Sequence, residues 1–300
     1  MKSANYKTVV KVVIPFTILS VSAYVLHAQR NRPAYQPVYS NGVMNKDIVA
    51  LAKIQNPQAT LPPTSSLPAW NTYLQRSFIR PPNVDHQDMA HMQQDSKHSQ
   101  MTPLFNALGM VKDINPSRKK YDHVFVFGGT PNHTKDRFEF LAQNVKSKQI
   151  DVPVSATVTY INGRRKIASS EVEEAKAMGV DCEYQHQCAE LIWKAYYSGL
   201  PVKLEVMTID PPEGRRANTD DTLMAFYARI PVDQAAKVLG YSNQPYGPYQ
   251  GDTANAVKER MKRFDLEVEV VAKASDKPVA TLTYLDSIAR RVYTVATLRP

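Results

Sequence analysis

Residues 121–137 read YDHVFVFGGTPNHTKDR, a buried strand that runs through a glycine turn into a helix. Val124, Phe125, Val126 and Phe127 are apolar without alternation, the pattern of a strand covered on both faces of a parallel sheet. Gly128, Gly129 and Thr130 permit a sharp turn and are expected to aim free N–H groups at a ligand above the strand end. In the following helix Phe138, Leu141, Ala142 and Val145 recur at i, i+3, i+4 and i+7, with Lys135, Arg137 and Glu139 on the outer face or at the mouth. The turn lacks both the full glycine fingerprint of dinucleotide sites and the Lys-Ser/Thr ending of phosphate loops.

Downstream, strand and helix alternate. A β-rich run at 154–161 ends at Asn162-Gly163, and Ser170 with Glu173 forms a capping box for a helix through Met178. A second helix carries Cys188, Leu191, Ile192 and Ala195. The third strand spans 202–209, and Asn218 or Thr219 caps the next helix. A fourth strand at 237–241 precedes a helix starting at Asp252. The fifth, at 266–271, alternates Leu, Glu, Val, Glu, Val and is expected at a sheet edge. A final helix carries Leu282, Leu285, Ile288, Val292 and Val295. Five strands each followed by a helix predict a doubly wound, mostly parallel α/β three-layer sandwich over residues 120–300.

In such folds the ligand crevice lies beyond the carboxyl ends of the strands, and the unusual residues of this chain fall there. The first end brings Gly128, Gly129, Thr130 and Arg137; the second Asn162, Gly163, Arg164 and Glu171. The third, EGRRANTDDT at 213–222, brings Arg215, Arg216, Thr219, Asp221 and Thr222. The fourth, SNQPYGPYQ at 242–250, brings Ser242, Asn243, Gln244, Tyr246, Tyr249 and Gln250. Arginines beside glycine turns and helix starts suit a small anionic ligand, a phosphate or a carboxylate. The amides and hydroxyls suit a neutral hydrogen-bonding moiety, and the two tyrosines a stacking wall. No nucleophile sits beside a base, so Asp221 and Glu171 are the candidates for general acid or base. These residues specify no cofactor.

The order GG, Arg on the first helix, Ser170-Glu171 at a helix start, the N-T-x-D-T cap and the SNQ loop resembles the SanA/ElyC/YdcF family of bacterial envelope proteins. RRANTDDT with SNQPYGPYQ is similar to a less-studied branch, also found in plants and algae. The resemblance covers about residues 121–271. It implies a Rossmann-like domain behind an N-terminal membrane segment and a role in envelope integrity or surface-polymer precursor metabolism; S-adenosylmethionine binding is linked to one branch. Gln-Pro-Tyr and Tyr-Gln replace the histidine and arginine usual at the end of the fourth loop, and Asn162-Gly163 replaces a Ser-Gly-Gly form.

Before the domain, Lys2, Lys7 and Lys11 precede an uncharged stretch at 12–29, so residues 1–29 are expected to be a signal anchor, or else a cleaved signal peptide. With the lysines held in the cytoplasm, the domain faces the periplasm from the bacterial inner membrane, or is secreted there after cleavage. Residues 30–119, rich in Pro, Asn and Gln, predict a tether with short helices, clipped on by Trp70, Tyr73, Leu74 and Phe78. His86, Met89, His91, Met92, His98 and Met101 suit a soft metal, but their spacing is irregular and no metal site is assigned.

The chain carries +9 and has a pI near 9.3. Its 37 Lys and Arg are dispersed, and the longest cluster, Arg118-Lys119-Lys120, has no interleaved aromatics, which argues against nucleic acid. Cys182 and Cys188 bracket a turn in GVDCEYQHQCAEL. On one continuous helix they would rise about 9 Å apart, beyond the roughly 7 Å that a disulfide spans. A helix break between them makes a disulfide the expectation in an oxidising compartment. The alternatives are a buried Cys188 with a free Cys182, or zinc with His186, which lacks a fourth ligand.

Overall fold

The computed structural model describes residues 35–79, 96–151, 156–210, 213, 215–232 and 234–297. The expected membrane segment and four of the Met/His residues, His86, Met89, His91 and Met92, lie outside them. Among the described residues no helix is long and apolar enough to cross a membrane.

A short hairpin opens the described chain, β1 (Tyr39–Ser40) and β2 (Val43–Met44). Its turn residues Asn41 and Gly42 take φ of 52° and 76°, the left-handed pair that matches hairpin twist. Three helices follow: α1 (Lys46–Gln55), α2 (Leu67–Ser77) and α3 (His98–Ala107). The α/β part then runs β3 (His123–Phe127), α4 (Pro131–Lys146), β4 (Ala156–Gly163), α5 (Ser169–Ala177), α6 (Gln185–Tyr196), β5 (Val202–Ile209) and α7 (Thr219–Ala228). It closes with β6 (Ala236–Asn243), α8 (Gly247–Arg260), β7 (Leu266–Lys273) and α9 (Thr281–Thr297).

The five long strands form one parallel sheet in the order β5-β4-β3-β6-β7. Alternate residues of β3 feed opposite faces. Val124 and Val126 pack with Phe138, Leu141, Ile192 and Trp193 of α4 and α6, while Phe125 and Phe127 pack with Leu223, Phe226 and Val257 of α7 and α8. Burial on both sides explains the uninterrupted apolar run. β7 is an edge strand, as its alternation predicts, yet its polar face is covered. Glu269 accepts from the Ser117 N–H at 2.7 Å and Tyr121 Oη at 2.6 Å, and Glu267 pairs with Arg118.

Three expectations change. Residues 35–79 and 96–119 are no tether: they belong to the same compact unit as the sheet. Their Val38, Ile48, Leu51, Trp70, Leu74, Phe78 and Phe105 make a second core against Leu285, Ile288 and Val292 of α9, in which Met101 is also buried. Second, α8 starts at Gly247, not Asp252, because Pro248 sits in the first turn, where no intrahelical N–H is needed. Third, α5 is closed by Glu171, whose carboxylate accepts the Ala168 N–H at 2.7 Å, and not by Ser170 with Glu173.

Candidate functional site

β3 and β6 lie side by side, and the helices that follow them leave to opposite faces, so the sheet's switch point is between their carboxyl ends. Arg137, from the second turn of α4, fills it. Its Nη1 donates to Phe127 O at 2.7 Å and Gly128 O at 2.8 Å, and its Nε to Asn243 Oδ1 at 2.8 Å. Gly129 is required beside it, since a Cβ there would stand 2.9 Å from Arg137 Nη1 and 3.0 Å from His133 Cβ. Arg137 is only 2% exposed. Burial pushes its guanidinium down to about 10, which leaves it charged at neutral pH. Among the described residues no carboxylate reaches it within ion-pair distance, and Nη2 has no acceptor. An unpaired buried cation costs several kcal/mol, a cost that an anion in the crevice offsets.

Above Arg137 opens a cleft of about 320 Å³. Gly128, Gly129, Thr130, Asn162, Gly163, Arg216, Thr219, Thr222, Tyr246, Tyr249 and Gln250 line it, all expected from the sequence, together with Glu171. Four arginines, Arg137, Arg165, Arg216 and Arg290, and one carboxylate, that of Glu171, line it. Glu171 is already bound at both oxygens by Arg165, with Nη1 to Oε2 at 2.6 Å. Arg290 Nε donates to Asp286 Oδ2 at 2.7 Å. On one wall the rings of His133 and Tyr246 meet edge to face with centroids 5.7 Å apart. Gln250 Oε1 accepts from Ser242 Oγ at 2.5 Å, which fixes its side chain at the floor.

Other expected site residues do structural work. Asp221 and Arg215 do not line the cleft. The Asp221 oxygens accept from Arg215 Nη1 and Nη2 at 2.6 and 2.7 Å, and Oδ2 from the Asn218 N–H at 2.9 Å. The Arg215 contact holds the Asp221 carboxyl below its ordinary value. Its assignment as acid or base therefore gives way to a helix cap, and Glu171, which does reach the cleft, is committed to an ion pair and a cap. Gln244 points away, with Nε2 donating to Gly109 O at 2.9 Å and Lys112 O at 2.7 Å. Ser242 and Asn243 lie buried beneath the floor. Two of the N–H groups expected to be free at the glycine turn are consumed: Gly128 N–H bonds Ile161 O at 2.8 Å and Gly129 N–H bonds Tyr160 Oη at 3.3 Å. The second strand end contributes Arg165 and not Arg164, which pairs with Asp210 at 3.2 Å.

Arg165, Arg290, His133 and Gln185 are cleft residues that the strand-end reading does not assign. Gln185 opens α6 and donates from Nε2 to Gly129 O at 2.8 Å. Cys182, before α6, and Cys188, in its first turn, form a disulfide with Cα atoms 5.2 Å apart, and Tyr184 between them caps the helix. No group of three metal-ligating side chains occurs among the described residues. His98 Nδ1 lies 2.7 Å from Thr281 Oγ1 instead.

No family model matches the chain, and no curated protein or solved structure matches it either.

Proposed function

We propose that the cleft binds a small anionic ligand, phosphate-bearing or nucleotide-like, in an envelope protein held at the membrane by its N-terminal segment. The observation that carries this reading is the buried Arg137, charged and, among the described residues, without a carboxylate, beneath a cleft that three further arginines line. The resemblance to SanA/ElyC/YdcF proteins agrees with it and suggests an envelope precursor as the ligand. The uncharged stretch at 12–29 and the disulfide support a domain on the oxidising side of the inner membrane.

Between a hydrolase or transferase and a non-catalytic factor that senses a precursor, one observation favours the second. Both carboxylates expected to act as acid or base are held bidentate by arginines. The test is a thermal-shift screen of the full chain in mild detergent against inorganic phosphate, nucleotides, sugar nucleotides and polyprenyl phosphates. A ligand at 100 times its Kd stabilises by about 2.7 kcal/mol. A shift with a phosphate ligand that is recovered unchanged after incubation supports binding without turnover. Absence of a shift with every anion rejects the reading.

A further inference from the structure

His133 lies in the first turn of α4 and Arg137 four residues on, so the two side chains stand on one face of the helix. That face is a wall of the cleft, which both residues line. They meet at the glycine turn: the place of a Cβ on Gly129 is 2.9 Å from Arg137 Nη1 and 3.0 Å from His133 Cβ. The Tyr246 ring, edge to face with the imidazole at 5.7 Å between centroids, holds it from the loop after β6. Among the described residues that line the cleft, His133 alone has a side chain that ordinarily titrates between about pH 5 and 8.

Resting on the reading of the cleft as an anion site, we infer that His133 is a second ligand-binding residue of that site and that it joins as the imidazolium, so that an anion seated over Arg137 enters together with a proton. A negative charge brought within a few ångströms stabilises the protonated ring, and the ring adds a charge-assisted donor to those of Arg137. Around the cleft, Arg165, Arg216, Arg290, Tyr246 and Tyr249 are of types that keep their charge state over that pH range, and Glu171 is held in its ion pair with Arg165. Two more carboxylates flank His133 along the helices. Glu174 of α5 accepts the neighbouring Asn132 N–H at 3.1 Å, and Asp136 of α4 has a carboxyl that burial pushes above its ordinary value. Asp136 is therefore the rival titrating group, and a variant of His133 tells the two apart.

Calorimetric titration of the full chain in detergent with sulfate tests this, because sulfate is a tetrahedral dianion throughout the range whereas phosphate itself gains a proton in it. His133→Gln removes the charge and keeps a donor and an acceptor; His133→Lys keeps a positive charge at every pH used. Wild-type affinity for sulfate is expected to rise at least about fivefold from about pH 8 to about pH 5.5, with proton uptake read from two cationic buffers of unlike ionisation enthalpy. His133→Gln should stay within about twofold across that range, and His133→Lys should be level too and bind more tightly than His133→Gln at about pH 8. If wild type binds sulfate with no dependence on pH, or if His133→Gln or His133→Lys keeps the wild-type rise, the inference is overturned while the anion site stands. Where His133→Gln does not fold, the wild-type and His133→Lys profiles decide. If wild type and both variants bind neither sulfate nor inorganic phosphate at any pH, the anion site falls and the inference with it.

Discussion

Arg137 is held by three protein acceptors, and among the described residues no carboxylate answers its charge. Its folded-state value, about 10, lies below that of the unfolded chain, so at neutral pH the folded protein carries the full cost of burying the cation. That cost is relieved only as pH rises through 10. Phosphate affinity should therefore be level from about pH 8, where phosphate is mostly the dianion, to pH 9 and fall above about 10, as read by titration. Arg137→Met should lower phosphate affinity at least tenfold, since a charge-assisted bond of about 1.5–3 kcal/mol is lost. Unchanged affinity would remove Arg137 from the site. Asp221 carries the opposite linkage. Its folded value is depressed by Arg215, so its stabilisation is present above the ordinary carboxylate value of 3.8 and is lost as pH falls through the depressed one. Because Arg215 is half exposed, the pair is screened. Asp221→Asn should cost at most about 1 kcal/mol in chemical denaturation and leave ligand affinity unaltered. A large loss of ligand affinity would return Asp221 to the site.

Elements with a single dominant signal were legible. The apolar run of β3 and the third strand, whose observed bounds Val202–Ile209 match the expected 202–209, follow from burial and period alone. Strands β4 and β6 run to Gly163 and Asn243, past the expected ends, because polar residues there pair in the ladder while their side chains meet the cleft or its floor. Propensity disfavours Asn and Gly in strands, and only the neighbouring strand overrides it. The glycine turn was found, but not the occupation of its Gly129 N–H by Tyr160 Oη, because Tyr160 comes from another strand. Arg290 illustrates the same limit. It reads as an i, i+4 partner of Asp286 on the last helix, and nothing local tells that this helix reaches the first strand's end. The disulfide was accessible to geometry, because the break at Tyr184 permits what a continuous helix forbids. It closes so short a loop that reduction, or Cys182→Ser with Cys188→Ser, should cost only about 2 kcal/mol in denaturant unfolding. Mass spectrometry of alkylated, non-reduced protein from its native compartment should show neither thiol labelled; two labelled thiols would remove the support for an oxidising location.

At the scale of the molecule, α9 joins two cores, and this decides where the folding unit begins. One part of it, Leu285, Ile288 and Val292, buries the helices before the sheet, while Arg290 reaches the cleft and Arg291 binds Asp252 of α8 at 2.8 Å. Arg291 also donates to Gln36 O at 2.7 Å and lies over the Tyr35 ring at 5.0 Å, so the first described residues are fastened to the same helix. Composition alone suggests a Pro-rich tether that could be trimmed at residue 84. Such a fragment loses the fully or almost fully buried Val38, Met44, Ile48, Leu51, Trp70, Leu74 and Phe78. At about 1.5–3 kcal/mol for each large side chain, the loss is on the order of 10–20 kcal/mol, as large as the whole stability of a typical domain. Residues 35–300 should therefore melt cooperatively, and residues 84–300 should not. The shorter fragment should bind a hydrophobic dye through the bared face of α9 and, with Arg290 unmoored, fail to bind phosphate. A point variant separates packing from chain length: Trp70→Ala should cost about 3–5 kcal/mol while leaving every cleft residue in place. A cooperative 84–300 fragment that binds phosphate like the longer one would show that the N-terminal helices are an appendage, and would return the domain boundary to residue 120.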